Sequence, residues 1–179
     1  APSALGVLDM ATLGKLQSVS HLVGLSTEEK VDFQQNFRTN GDVRSTVIFK
    51  YFGGLNAAAA SLVDASLVEQ DTYRYGLKDR KDVDVQKLNI QTKAYLLGES
   101  GFERVNFQQS YRSNQTIRST TIFYYEKSEV INGKTVLSEI DAAGAEEEAP
   151  IRRQEVFRGG SAPSALGVLD MATLGKLQS

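Results

Sequence analysis

Two stretches of this chain are diverged copies of one another, and this limits the folds open to it more than any other feature. Residues 29–52 read EKVDFQQNFRTNGDVRSTVIFKYF and residues 103–126 read ERVNFQQSYRSNQTIRSTTIFYYE, aligned without a gap at an offset of 74. Thirteen of the 24 positions are identical. Several others exchange like for like: Lys30/Arg104, Asp32/Asn106, Phe37/Tyr111, Thr39/Ser113 and Val43/Ile117. The match continues backwards through Leu22-Val23-Gly24 against Leu96-Leu97-Gly98, and as far as Leu16-Gln17-Ser18 against Ile90-Gln91-Thr92. A repeated unit that cannot bury its own apolar face packs against its twin. The pattern therefore predicts two related units, residues 19–82 and 83–158, in pseudo-twofold or stacked packing.

A second repeat is of another kind. Residues 1–18 and 162–179 both read APSALGVLDMATLGKLQS, identical at all 18 positions. Natural duplications drift, and this one has not. It follows Gly159-Gly160-Ser161, a tripeptide of linker composition. These features point to a copy added by design. Three origins stay open: a tail that fills a slot vacated when the first copy docks on a neighbour, an overlap from circular permutation, or a cloning remnant. The two repeats meet at Leu16–Ser18, because the duplicated segment contains the opening element of the first unit. Chained subunits would place the opening element of one copy behind the second unit of the next.

Local patterns predict the elements. Ala4–Val23 carries Leu5, Leu8, Leu16, Val19 and Val23 near one helical face. Ser26-Thr27-Glu28-Glu29 and Ser100-Gly101-Phe102-Glu103 fit capping boxes, which places helices over Thr27–Arg38 and Gly101–Arg112. The β-branched and aromatic runs Val43–Phe52 and Thr116–Glu126 favour strands. Alanine-rich Asn56–Glu69 and the segment Val83–Leu97 read as helices, with Asn56 as a cap. Asn132-Gly133 marks a hairpin between Ser128–Ile131 and Lys134–Ile140, and Gln154–Phe157 a last short strand. The expected fold class is α+β, two helix–helix–strand units, with a mostly α fold as the alternative.

Composition narrows the chemistry. The chain's 179 residues hold 20 basic against 22 acidic side chains, a balance that does not fit a general nucleic-acid binder. With no cysteine, it has no disulfide, thiolate metal site, thiol nucleophile or thioether-linked chromophore. No apolar run approaches the roughly 20 residues of a membrane-spanning helix. His21 is the only histidine, and Tyr95 takes its place in the second unit. No HExxH, P-loop or Gly-x-Ser-x-Gly pattern occurs. Carboxylate pairs such as Asp64/Glu69 or Glu139/Asp141 read as solvated surface. No catalytic residue, metal site or cofactor is expected, and the chain is not expected to be an enzyme.

Two residue sets stand out instead. Gln34, Gln35, Arg38, Asn40 and Arg44 recur as Gln108, Gln109, Arg112, Asn114 and Arg118. They are expected to cap turns and bond carbonyls, or else to form a partner-binding surface. The apolar residues Leu5, Leu8, Met10, Leu13 and Leu16, with their copies Leu166, Leu169, Met171, Leu174 and Leu177, are the candidate assembly contacts. The expected function is an assembly subunit that exchanges its N-terminal segment with a copy of itself or a related subunit, here self-complemented by the tail. A small-ligand or pigment-binding domain and a carboxylate-based enzyme are the alternatives.

Overall fold

Alternation with a period of two, not of 3.6, governs the repeated segments. In Val31-Asp32-Phe33-Gln34-Gln35-Asn36-Phe37 the side chains of Phe33 and Gln35 are both buried. They are two residues apart, as on one face of a strand. A computed structural model describes residues 14–81, 89–163 and 169–178 of the chain. It is a largely antiparallel β protein, 52% strand, with one helix of fewer than seven residues. The expected α+β class, and the mostly α alternative, are therefore corrected.

Strands β1 (Ser18–Val23), β2 (Lys30–Phe37) and β3 (Val43–Tyr51) lead into helix α1 (Ala57–Leu62). Strands β4 (Leu67–Arg74), β5 (Ile90–Leu97), β6 (Arg104–Tyr111), β7 (Ile117–Ile131), β8 (Lys134–Ile140) and β9 (Ile151–Arg158) follow. All nine lie in one antiparallel sheet ordered β1-β2-β3-β4-β5-β6-β7-β8, with β9 also paired to β7. Among the described residues no helix is long and apolar enough to cross a membrane.

All five expected helices are replaced or shortened within the described residues. Thr27–Arg38 and Gly101–Arg112 contain β2 and β6. Phe33 and Phe37, and likewise Phe107 and Tyr111, have helical spacing but share a face because positions four apart also coincide in a strand, and the buried glutamine between each pair masked the alternation. The second capping box does use its glutamate, but across the sheet: Glu103 accepts from the amides of Gly101 (3.0 Å) and Leu67 (2.8 Å). Of Ala4–Val23, the part up to residue 13 lies outside the described residues, and Ser18–Val23 is β1. Of Val83–Leu97, residues 82–88 lie outside, and Ile90–Leu97 is β5. The alanine-rich helix forms with its expected cap, Asn56 accepting from the Ala59 amide at 2.9 Å, but ends at Leu62. The strands at residues 43–52 and 116–126, the Asn132-Gly133 hairpin and the last strand match the sequence expectation.

The offset of 74 is a structural symmetry. Ser18 faces Asn36 in the β1–β2 ladder, and Thr92 faces Ser110 in β5–β6. Both ladders carry a bulge at the same place, His21/Leu22 and Tyr95/Leu96. The β2–β3 and β6–β7 ladders also coincide, Phe33 with Ile48 and Phe107 with Ile122. Strand β9 stands on β7 as β4 stands on β3: Ser45 faces Arg74 and Ser119 faces Arg158, each ladder bulging after Lys50 or Tyr124. The repeated element is thus a four-stranded meander, β1-β2-β3-β4 and β5-β6-β7-β9. The units differ in what they insert before the fourth strand, α1 in the first and the β7–β8 hairpin in the second.

Candidate assembly site at the β9 edge

The signature glutamines are the pins of each unit. Gln35 and Gln109 are fully buried. Gln35 Nε2 donates to the carbonyls of Leu77 (2.9 Å) and Arg80 (3.1 Å), and its Oε1 accepts from the Asp79 amide (2.9 Å). Gln109 Nε2 donates to the Ser161 carbonyl at 2.9 Å, and Tyr111 Oη donates to its Oε1. Each therefore fastens the chain that leaves the fourth strand. Asn40 and Asn114 order the β2–β3 and β6–β7 turns by accepting from the amides of Asp42 and Thr116. Arg38 lies 5.4 Å from the ring centre of Tyr75, and Arg112 donates to the Ile117 carbonyl at 3.0 Å. Gln34 bonds within the strand to Asn36, while Arg44 and Arg118 are exposed; Gln108 is half-buried.

The segment after β9 follows the path of the segment after β4. Tyr75 N donates to the Arg44 carbonyl (3.0 Å), and Gly159 N donates to that of Arg118 (2.9 Å). Thr46 Oγ1 donates to the Tyr75 carbonyl (3.0 Å), and Thr120 Oγ1 to that of Gly159 (2.8 Å). Gly76 and Gly160 both take positive φ, +154° and +126°. A Cβ on either would overlap the threonine hydroxyl beneath it. The Gly-Gly-Ser tripeptide is thus bonded into the second unit rather than a free linker.

The tail then docks on that unit. Leu169 and Leu174 pack on a core of Tyr95, Phe107 and Ile122, together with Tyr124 and Phe157. Beyond them the backbone joins the outer edge of β9. Arg158 N donates to the Lys176 carbonyl (3.0 Å), Gln178 N donates to that of Val156 (2.7 Å), and Leu177 pairs antiparallel with Phe157. The approach is close, since a Cβ on Gly175 would overlap the Arg158 carbonyl oxygen. Met171 and Leu177 are exposed. In the first copy, Leu16 is exposed and Gly14 has open space around it. Leu5, Leu8, Met10, Leu13 and Leu166 lie outside the described residues.

Compared with protein-family models, curated proteins and solved structures, the chain matches none.

The sequence reading missed a buried ion cluster between the units. Glu69 and Asp71 point inward from β4. Lys50 Nζ lies 2.6 Å from Glu69 and 2.7 Å from Asp71, and Lys93 Nζ lies 3.0 and 3.3 Å from them. Glu69 is thus not the solvated residue expected, whereas Asp64 is exposed and paired with Lys30. Burial pushes the Asp71 carboxyl above its ordinary value, and Asp71 Oδ1 has no hydrogen-bond partner among the described residues. At Glu69 burial acts upward too, but the Lys50 and Lys93 ammoniums hold it below its ordinary value. Burial also raises the hydroxyls of Tyr73 and Tyr111 to about 12. The signal in the sequence was Glu69-x-Asp71-x-Tyr73, a period-two face read as polar surface, with a lysine at the aligned position of each flanking strand. Both lysines pair with the carboxylates, and neither acid lines the apolar groove described below.

Among the described residues, no cluster of ligating side chains could hold a metal ion. An apolar groove of about 640 Å³ runs between Phe52, Leu55, Val63, Val68, Leu96 and Leu97. Its rim residues Phe52 and Val63 are about two-thirds exposed, at 68% and 67%, so it is an open trough and not a closed chamber.

Proposed function

We propose that this chain is an assembly subunit whose residues 1–18 dock on the second unit of another copy, in the slot that residues 169–178 occupy here. The carrying observation is the seating of the tail. The same 18 residues supply Leu169 and Leu174 to a core and a strand segment to β9. A side chain half-covered in this way contributes roughly 1 kcal/mol, about half the figure for full burial of a leucine. Backbone pairing to an open strand edge adds direction, the mode in which an extended segment joins a sheet. The slot is a property of the second unit, and the first copy of the segment runs into β1, which forms the opposite edge of the sheet. One chain without the tail would then present an empty slot at one edge and its filler at the other. That heterologous arrangement builds open chains or rings.

The test is the mass in solution of the full chain and of a chain ending after Ser161. The cut keeps Ser161 because its carbonyl accepts from Gln109. Light scattering should give a monomer for the full chain and multimers for the shortened one. A shortened chain that stays monomeric and folded contradicts the proposal.

A further inference from the structure

The tail supplies only the beginning of a strand. In the first copy, the residues that follow Leu16-Gln17-Ser18 are Val19–Val23 of β1, which pairs with β2 and has its other edge open. Among the described residues, the tail pairs with the C-terminal end of β9, and the outer edge of Ile151–Gln154 pairs with no strand. β1 and the start of β9 thus each offer an open edge, and edges of this kind are templates for strand addition.

The first unit already shows how such edges join. Strand β4, the equivalent of β9, pairs with β5, the equivalent of β1. In that ladder Tyr73 faces Ile90 and Gln70 faces Ala94. The tail reproduces the first of these contacts, since Phe157 stands where Tyr73 does and Leu177 is the copy of Leu16, the counterpart of Ile90. We infer that, between copies, β1 of one chain continues the sheet of the next along β9, in the register of β4 and β5. This rests on the docking of residues 1–18 proposed above and adds its geometry. Phe157 then faces Leu16 of the second copy, Val156 faces Ser18, Glu155 faces Val19, Gln154 faces Ser20 and Arg153 faces His21. The occupant is a second copy of this chain, because its own sequence already sits at the start of that ladder.

The junction would differ from its template in charge. Arg153 and Glu155 replace Glu69 and Asp71, and they pair with each other. Arg153 also pairs with Glu139 at 2.8 Å and lies 4.1 Å from the ring centre of Tyr124. Its charge is already compensated within the unit, so β9 does not need a lysine from the incoming strand as Asp71 has from Lys93. Val19 stands at the position of Lys93. An apolar residue there matches a strand whose acid is already paired.

The cysteine-free sequence allows a direct test on the full chain. Gly175→Val drives the tail off β9, because a side chain at this position overlaps the Arg158 carbonyl. One Gly175→Val chain carries Gln154→Cys and another carries Ser20→Cys, both at exposed positions. Mixed and oxidised, the two should give a disulfide-linked heterodimer as the main product. Pairing Gln154→Cys with Val19→Cys or His21→Cys should lower the yield at least tenfold, since those side chains lie on the other face. The same cysteines with Gly175 intact should not cross-link. Peptide mapping after dissolution in denaturant reads the result even from precipitated material. If the Gly175→Val chains associate but link through Val19 or His21 and not Ser20, docking stands and the continuous sheet is overturned. If they remain monomeric and unlinked, the docking proposal itself fails and takes this inference with it.

Discussion

The two units are built alike and closed differently. Each is a four-stranded meander with the same register, the same bulges and a buried glutamine pinning the outgoing chain. In the first, the chain leaving β4 returns as β5, so the strand that covers β4 is supplied by the same polypeptide. In the second, the strand that begins to cover β9 is a duplicate of the chain's own opening. A repeat therefore specifies its neighbour as well as itself. At the end of the array the duplicated segment takes the neighbour's place, at the β9 edge.

The largest difference should be in the cores. Phe107 is fully buried, stacked on Tyr95 at 4.5 Å and roofed by tail leucines. Its counterpart Phe33 stacks on His21 at 4.0 Å in the edge strand. Phe107→Ala should cost about 3–5 kcal/mol and Phe33→Ala less, as read by denaturant unfolding. Equal losses would mean that the tail adds nothing to the second core.

Next come the pins. Gln35→Ala abandons the carbonyls of Leu77 and Arg80 and the amide of Asp79, whereas Gln109→Ala abandons the Ser161 carbonyl and the Tyr111 hydroxyl. A polar group left without its partner costs about 1–3 kcal/mol when fully buried and less in these part-buried bonds, so with more groups abandoned Gln35→Ala should be the more damaging. Amide exchange at Asp79 would rise in the first variant only.

The ion cluster belongs to the first closure alone and gives the comparison a pH dependence. Glu69 titrates below its ordinary value when folded, so its contribution is present above the unfolded value and lost as pH falls through the folded one. Asp71 titrates above its ordinary value, so its contribution is present below the unfolded value and lost as pH rises through the folded one. At pH 7 Glu69→Gln should cost about 2 kcal/mol, near the worth of a charge-assisted bond, and Asp71→Asn less. The gap should close in acid, where both carboxyls are protonated. A larger loss for Asp71→Asn at pH 7 would reverse these assignments.

The smallest effect is alkaline. Burial first, then neighbouring carboxylates, raise the Tyr51 and Tyr73 hydroxyls to about 12. Their folded values lie above the unfolded ones, so the stability they contribute is complete below about pH 10 and lost as pH rises toward 12. The second unit has Phe157 in place of Tyr73. Tyr73→Phe should flatten the alkaline loss measured by tyrosinate absorbance, while Phe157→Tyr should steepen it.

Much of this was legible in the sequence, and three of the missed strands share one cause. The offset of 74, the aromatic strands and the Asn-Gly hairpin were visible because each is a local or self-comparing pattern. The strands at Lys30–Phe37 and Arg104–Tyr111 were not, because Gln35 and Gln109 occupy inward positions where a period-two reading expects apolar residues. Strand β4 was hidden likewise, since Glu69 and Asp71 face inward and become acceptable there only beside Lys50 and Lys93 on other strands. Polar residues that are satisfied by distant partners carry no local sign of burial. The site was half visible: the duplicated segment pointed to a slot, but only the ladder from β9 to Leu177 gave its position and register.

The most direct measurement is titration of a peptide of residues 1–18 into the chain ending after Ser161. The account predicts binding of one peptide per chain, amide protection at Arg158, loss of multimers, and failure of the Gly14→Val peptide. A chain that ignores the peptide, or binds both peptides equally, would contradict it.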